Sequence, residues 1–119
     1  MKSVRITYDP EGDILYLSFG APKEATGCQL SDQILLRLVP DSSEVTGLTI
    51  FNFLHHIHSD AGIRLYEEEI AGDMLKMLMS PPITRFLNIE RSESGTTAYL
   101  LQPSLQESVS ALSGSGPTG

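Results

Sequence analysis

Histidines gather at one point of the chain, as His55, His56 and His58. Imidazole is a common metal ligand and the side chain whose proton leaves nearest neutral pH. If residues 52–58 form a helix, His55 and His58 stand three apart on one face, with Asp60 or Glu67 as a candidate third donor. That set would serve a small metal-dependent or hydrolytic enzyme. The plainer reading is a polar patch at a helix end, where free carbonyls favour cations. A metal is recognised by a complete ligand set, and two histidines do not make one. The sequence therefore predicts no metal and no cofactor, with His55, His58 and Asp60 as the alternative.

Other reactive residue types have ordinary explanations too. Asp9, Glu11 and Asp13 put carboxylates at alternate positions, as a calcium loop does at its start. Counted from Asp9, however, the sixth and twelfth positions are Ile14 and Gly20, where such a loop needs Gly and Glu. A hairpin turn with solvated carboxylates is expected instead. The single cysteine, Cys28, lacks the surroundings of a catalytic thiol and reads as a small buried hydrophobe. The string at residues 114–119 matches G-x-G-x-x-G by letters but lacks the strand and helix that a dinucleotide site requires. Glu67, Glu68 and Glu69 read as a solvated helix face or as a patch for a basic protein partner. Met74, Met77 and Leu78 belong to an apolar run, with Leu75 and Met79, broader than one core-facing stripe. These three are the expected interaction surface.

The elements that would position these residues follow from periodicity. Val4, Ile6 and Tyr8 alternate with Arg5 and Thr7, a strand pattern. Asp9 to Asp13, with Pro10 and Gly12, form a turn, and residues 14–19 return as an apolar strand. A weak edge strand over residues 26–30 contains Gly27. Ile34, Leu36 and Leu38 begin a second hairpin, completed by residues 45–51 after a connection at residues 40–44. Asn52 is a candidate cap for a short helix carrying Phe53, Leu54 and Ile57 to the sheet. Ile63, Tyr66, Ile70, Met74 and Met77 or Leu78 recur at helical spacing, with Gly72 as a kink or break. Pro81 and Pro82 end that helix. Residues 83–90 and 96–101 read as a third hairpin. The expected fold is α+β: an antiparallel β-meander of two N-terminal hairpins covered by helices, with a further C-terminal hairpin. Residues 1–102 form the expected domain, and 103–119, rich in Ser, Gly and Pro, a flexible tail.

Tyr8, Asp9, Asp13, Leu15, Tyr16 and Leu17, followed by the strands at 34–38 and 45–50, carry a resemblance. The Y-D-x-x-x-D-x-L-Y-[IL] hairpin resembles a small bacterial domain-of-unknown-function family over roughly residues 4–52. The connection Pro40, Asp41, Ser42, Ser43 and Glu44 departs from the acidic, glycine-containing turn usual in that family. The resemblance implies a compact β-rich module without an established activity, ligand or catalytic residue. Some relatives look like small partners of toxin-type proteins, which implies an interaction role.

Composition sets the outer limits. A chain of 119 residues with 40% hydrophobic and 19% charged residues can bury one core. Its net charge of −7, without adjacent Lys or Arg, argues against a nucleic-acid partner. One cysteine, no apolar leader and no long apolar span lead to the expectation of a cytoplasmic protein without membrane contact. The function predicted is a non-enzymatic protein–protein interaction module, a homodimer or other homo-oligomer.

Overall fold

Alternation in the N-terminal half puts apolar side chains on one side of a pleated sheet, and five strands obey it. In the computed structural model, which describes residues 3–21, 23–59, 62–70 and 72–101, the strands are β1 (Val4–Asp9), β2 (Ile14–Phe19), β3 (Thr26–Gln29), β4 (Ile34–Leu38) and β5 (Val45–Phe51). They form an antiparallel sheet in the order β1-β2-β5-β4-β3. The two expected hairpins are present, β1 with β2 and β4 with β5. Their junction differs from a meander: β2 pairs with β5, Leu15 opposite Ile50 and Leu17 opposite Leu48. After β2 the chain restarts at the far edge with β3 and returns through β4. This order centres the two most apolar strands and leaves mixed β1 and glycine-containing β3 at the edges, where weak strands are tolerated.

Leu15, Leu17, Phe19, Ile34, Leu36, Leu48 and Ile50 point to the inner face and are 2% exposed or less. Each such burial contributes about 1.5–3 kcal/mol. The same register places Arg5, Ser18, Gly47 and Arg37 on the outer face, in one row across the strands.

The inner face is covered by more than helices. Helix α1 (Phe53–Ser59) contributes buried Phe53 and Ile57. The long helix expected from residue 60 is replaced by β6 (Ile63–Arg64), a 3-10 turn at Glu67–Glu69 and α2 (Asp73–Leu78). Backbone bonding explains the change. The Leu65 amide donates to the Thr96 carbonyl at 2.9 Å and the Tyr66 amide to Leu30 at 2.7 Å, so this stretch finds strand partners. Gly72 then takes φ of 55°, a conformation that interrupts a helix. The spacing of three and four records side chains reaching one core from three elements.

The third hairpin is β7 (Leu87–Ser92) with β8 (Gly95–Leu100). Its first strand begins later than expected, because Ile83–Arg85 is a 3-10 turn after the cis Pro81–Pro82 bond. β6 joins β8, with Ile63 opposite Ala98, to complete a sheet ordered β6-β8-β7. The result is two antiparallel sheets with a few short helices, less helical than the sequence suggested. One apolar cluster runs through both layers, and the rings of Phe19 and Phe86 stack with centroids 6.1 Å apart. Residues 103–119, the expected tail, lie outside the described residues.

Candidate functional site

The turn after β1 does structural work that its acidic composition concealed. Asp13 has φ of 55°, which aims its carbonyl and carboxylate at the start of α1. The Phe53 amide donates to the Asp13 carbonyl at 3.0 Å, and the Leu54 amide to its carboxylate at 2.9 and 3.2 Å. The cap expected from Asn52 is thus supplied across 41 residues by Asp13, while the Asn52 carbonyl accepts the His56 amide. Tyr8 donates its hydroxyl to the same carboxylate at 2.8 Å and sets its ring edge-on to Phe53. Burial, then the Asp13 hydrogen bond and charge, push the Tyr8 phenol up to about 12. Asp13 is therefore not a solvated turn carboxylate. Tyr8 and Asp13, both in the hairpin motif, fasten β1–β2 to α1.

The histidines sit on α1. His55 and His58 are exposed and His56 is half-buried. The rings of His55 and His56 meet edge to face, centroids 5.3 Å apart. Burial, then the neighbouring His55, lower the His56 pKa against a smaller opposing pull from Asp13. Asp60 lies outside the described residues. Among the described residues no three His, Cys, Asp or Glu side chains are grouped to hold a metal ion.

Cys28, on edge strand β3, is half-buried and donates its thiol to Glu69 Oε1 at 3.2 Å. Burial, with the Glu69 hydrogen bond and charge, raises the thiol to about 11. A nucleophilic cysteine needs the reverse shift. The glutamates expected on a solvated helix face occupy the 3-10 turn instead. Glu67 accepts the Thr96 amide at 2.6 Å and stands 3.9 Å from Arg91, so two of the three glutamates are used inside the fold.

The apolar run of α2 divides by depth. Leu78 is fully buried, Met74 and Met77 are half-buried against the core, and Met79 is 54% exposed. Met77 lines a cavity of about 310 Å³ with Val45, Lys76, Pro81 and Pro82. Met79 lines another, of about 180 Å³, with Leu87, Ile89 and Leu101. That second groove follows β7, whose far side has no strand partner among the described residues. Met79 belongs to the apolar run singled out in the sequence but not to the three residues named for its surface, because its apolar character matches that of its buried neighbours; the turn after Leu78 is what exposes it.

A third cavity, of about 250 Å³, lies on the outer face of the five-stranded sheet and is lined by Arg5, Lys23 and Arg37. These residues are far apart in sequence, and only the β2–β5 pairing brings them together. None of the cavities described here is lined by a histidine. No helix among the described residues is long and apolar enough to cross a membrane.

No curated protein and no solved structure matches the chain. Residues 5–53 match the model of the family described as protein of unknown function (DUF2283), which covers β1 to the start of α1 and places this stretch in a small domain-of-unknown-function family, as the hairpin motif implied.

Proposed function

We propose that the chain is a non-enzymatic interaction module whose partner is a second copy of itself. The observation that carries this reading is Met79, an exposed methionine beside an apolar groove at the edge of β7 that has no strand partner among the described residues. An unpaired edge next to apolar surface is a liability unless it is paired or covered. Antiparallel pairing of β7 with β7 about a two-fold axis would satisfy the edge in both copies, and closed two-fold symmetry is the commonest oligomeric form. The surface predicted at Met74, Met77 and Leu78 shifts accordingly: buried Leu78 supports it from beneath, and Met79 presents it. A basic protein partner is less well supported, since Glu67 and Glu69 already accept hydrogen bonds within the chain.

Light scattering of the purified chain at tens of micromolar should give a dimer. Met79→Asp should give a monomer with an unchanged far-UV spectrum, because the side chain is outside the core and its new charge would be desolvated only at an interface. A monomeric parent chain, or a Met79→Asp variant that remains dimeric, would remove this reading.

A further inference from the structure

We propose that the cavity on the outer face of the five-stranded sheet binds a phosphate group, free or carried on a small molecule. The chain has 15 acidic and 8 basic residues, yet three of the basic ones, Arg5, Lys23 and Arg37, line this one cavity, together with Ser18, Gly20, Ala21, Ala25 and Thr46 and with no carboxylate among the described residues of its wall. Sheet register explains how they meet. Arg5 pairs with Ser18, Ser18 with Gly47 and Gly47 with Arg37, so two arginines flank two small residues in a single row. Adjacent strands are about 4.8 Å apart, which puts the arginine backbones about 14 Å apart across three steps. The Arg37 stem lies against Gly47, and Ser18 joins the cavity wall between the two arginines.

The small residues have a physical role here. A Cβ at Gly47 would lie 3.0 Å from the Leu17 carbonyl and 3.4 Å from Arg37 Cδ, so the aliphatic stem of Arg37 lies where a larger residue would stand. The register shifts between Arg37 and Leu38, and Thr46, beside that bulge, turns into the cavity wall. Its Oγ1 is buried without a hydrogen-bond partner among the described residues. A buried hydroxyl left unpaired is unfavourable, and rotation of the Thr46 side chain toward the cavity would offer its hydrogen to a phosphate oxygen.

The cations are available. Neither Arg5 nor Arg37 has a carboxylate partner among the described residues. Lys23 is held at the rim by its ion pair with Glu44. Guanidinium groups match a tetrahedral oxyanion by paired N–H donors, and a less strongly hydrated Arg surrenders its water more readily than Lys. The cavity volume is below the range of about 300–1,000 Å³ for drug-sized ligands and suits one small phosphorylated group.

Titration calorimetry of the full chain with inorganic phosphate at low salt should show saturable binding of one ion per chain. Arg5→Gln and Arg37→Gln should each weaken it about tenfold, as expected for losing a charge-assisted bond, while leaving the far-UV spectrum unchanged because both side chains are exposed. Thr46→Val should weaken phosphate binding severalfold and, without phosphate, leave the thermal midpoint unchanged or higher. A merely structural Thr46 would move the midpoint alone. Glycerol 1-phosphate binding more tightly than phosphate would assign the site to a phosphate ester, and equal or weaker binding would assign it to the free ion. No saturable heat up to 10 mM phosphate, or binding that both arginine variants leave intact, would overturn the proposal.

Discussion

Asp13 shows how one residue can hold two elements that are distant in sequence. A helix as short as α1 has little intrinsic stability, and its first amide groups have no partner within the helix. Asp13 satisfies those of Phe53 and Leu54 from a left-handed backbone at φ 55°. Two costs can be separated by substitution. Asp13→Ala loses the cap, worth about 1 kcal/mol, and puts a residue without local hydrogen bonding into a conformation that costs about 1 kcal/mol more than it does for glycine. Asp13→Gly loses the cap and, like Ala, the hydrogen bond from Tyr8, without that backbone cost. Urea denaturation should therefore rank the parent above Asp13→Gly and Asp13→Gly above Asp13→Ala, with the two variants about 1 kcal/mol apart. If Ala is the milder change, the strained turn is not a contributor. The need for a cap near residue 52 was legible in the sequence, but the acceptor that supplies it was not, because nothing local ties residue 13 to residue 54.

At the scale of elements, period-two alternation identified the N-terminal strands reliably, since each strand has one wet face and its neighbours share the same core. The segment from 62 to 78 was misread because burial at spacings of three and four is also produced when β6, a 3-10 turn and α2 take turns at one core. Gly62 distinguishes the two readings by sign. In a helix interior, Gly→Ala stabilises by about 1 kcal/mol. In the observed fold a Cβ on Gly62 would collide with the Thr97 methyl and lie 2.8 Å from Tyr99 Cε1, on the face where β6 lies against β8. Such overpacking costs about 1–3 kcal/mol. Gly62→Ala should therefore destabilise the chain, and hydrogen exchange should quicken first at the Leu65 amide, which bonds to Thr96. Stabilisation by this change would restore the helical reading.

For the molecule as a whole, the pairing of β2 with β5 is the decisive unread fact. Local patterns predict hairpins, whereas the docking of one hairpin on another depends on which strands gain most from a central position. That same docking assembles the arginine row, so neither the sheet order nor the outer-face cavity was available to sequence reasoning. Side-chain contacts to carboxylates then set how the fold responds to alkali. Cys28 on β3 meets Glu69 from the covering layer, and Tyr8 on β1 meets Asp13 beside α1. In the fold the thiol is raised from 9.0 to about 11 and the phenol from 10.0 to about 12. Tyr66 is raised as well, chiefly by donating its hydroxyl to Asp32. Each group keeps its proton longer in the folded chain than in the unfolded one, so its contribution is complete below the unfolded value and is lost as pH rises through the folded value. With a net charge of −7 already present, each new anion also adds repulsion. The thermal midpoint should show no loss from these groups up to about pH 9 and should then fall between about pH 9 and 12. Combining Cys28→Ser with Tyr8→Phe removes two of the titrating groups, so the double variant should fall less steeply across that window, even if its midpoint at pH 7 is lower. An equally steep fall would mean that other groups, Tyr66 among them, and not these two contacts, govern alkaline unfolding.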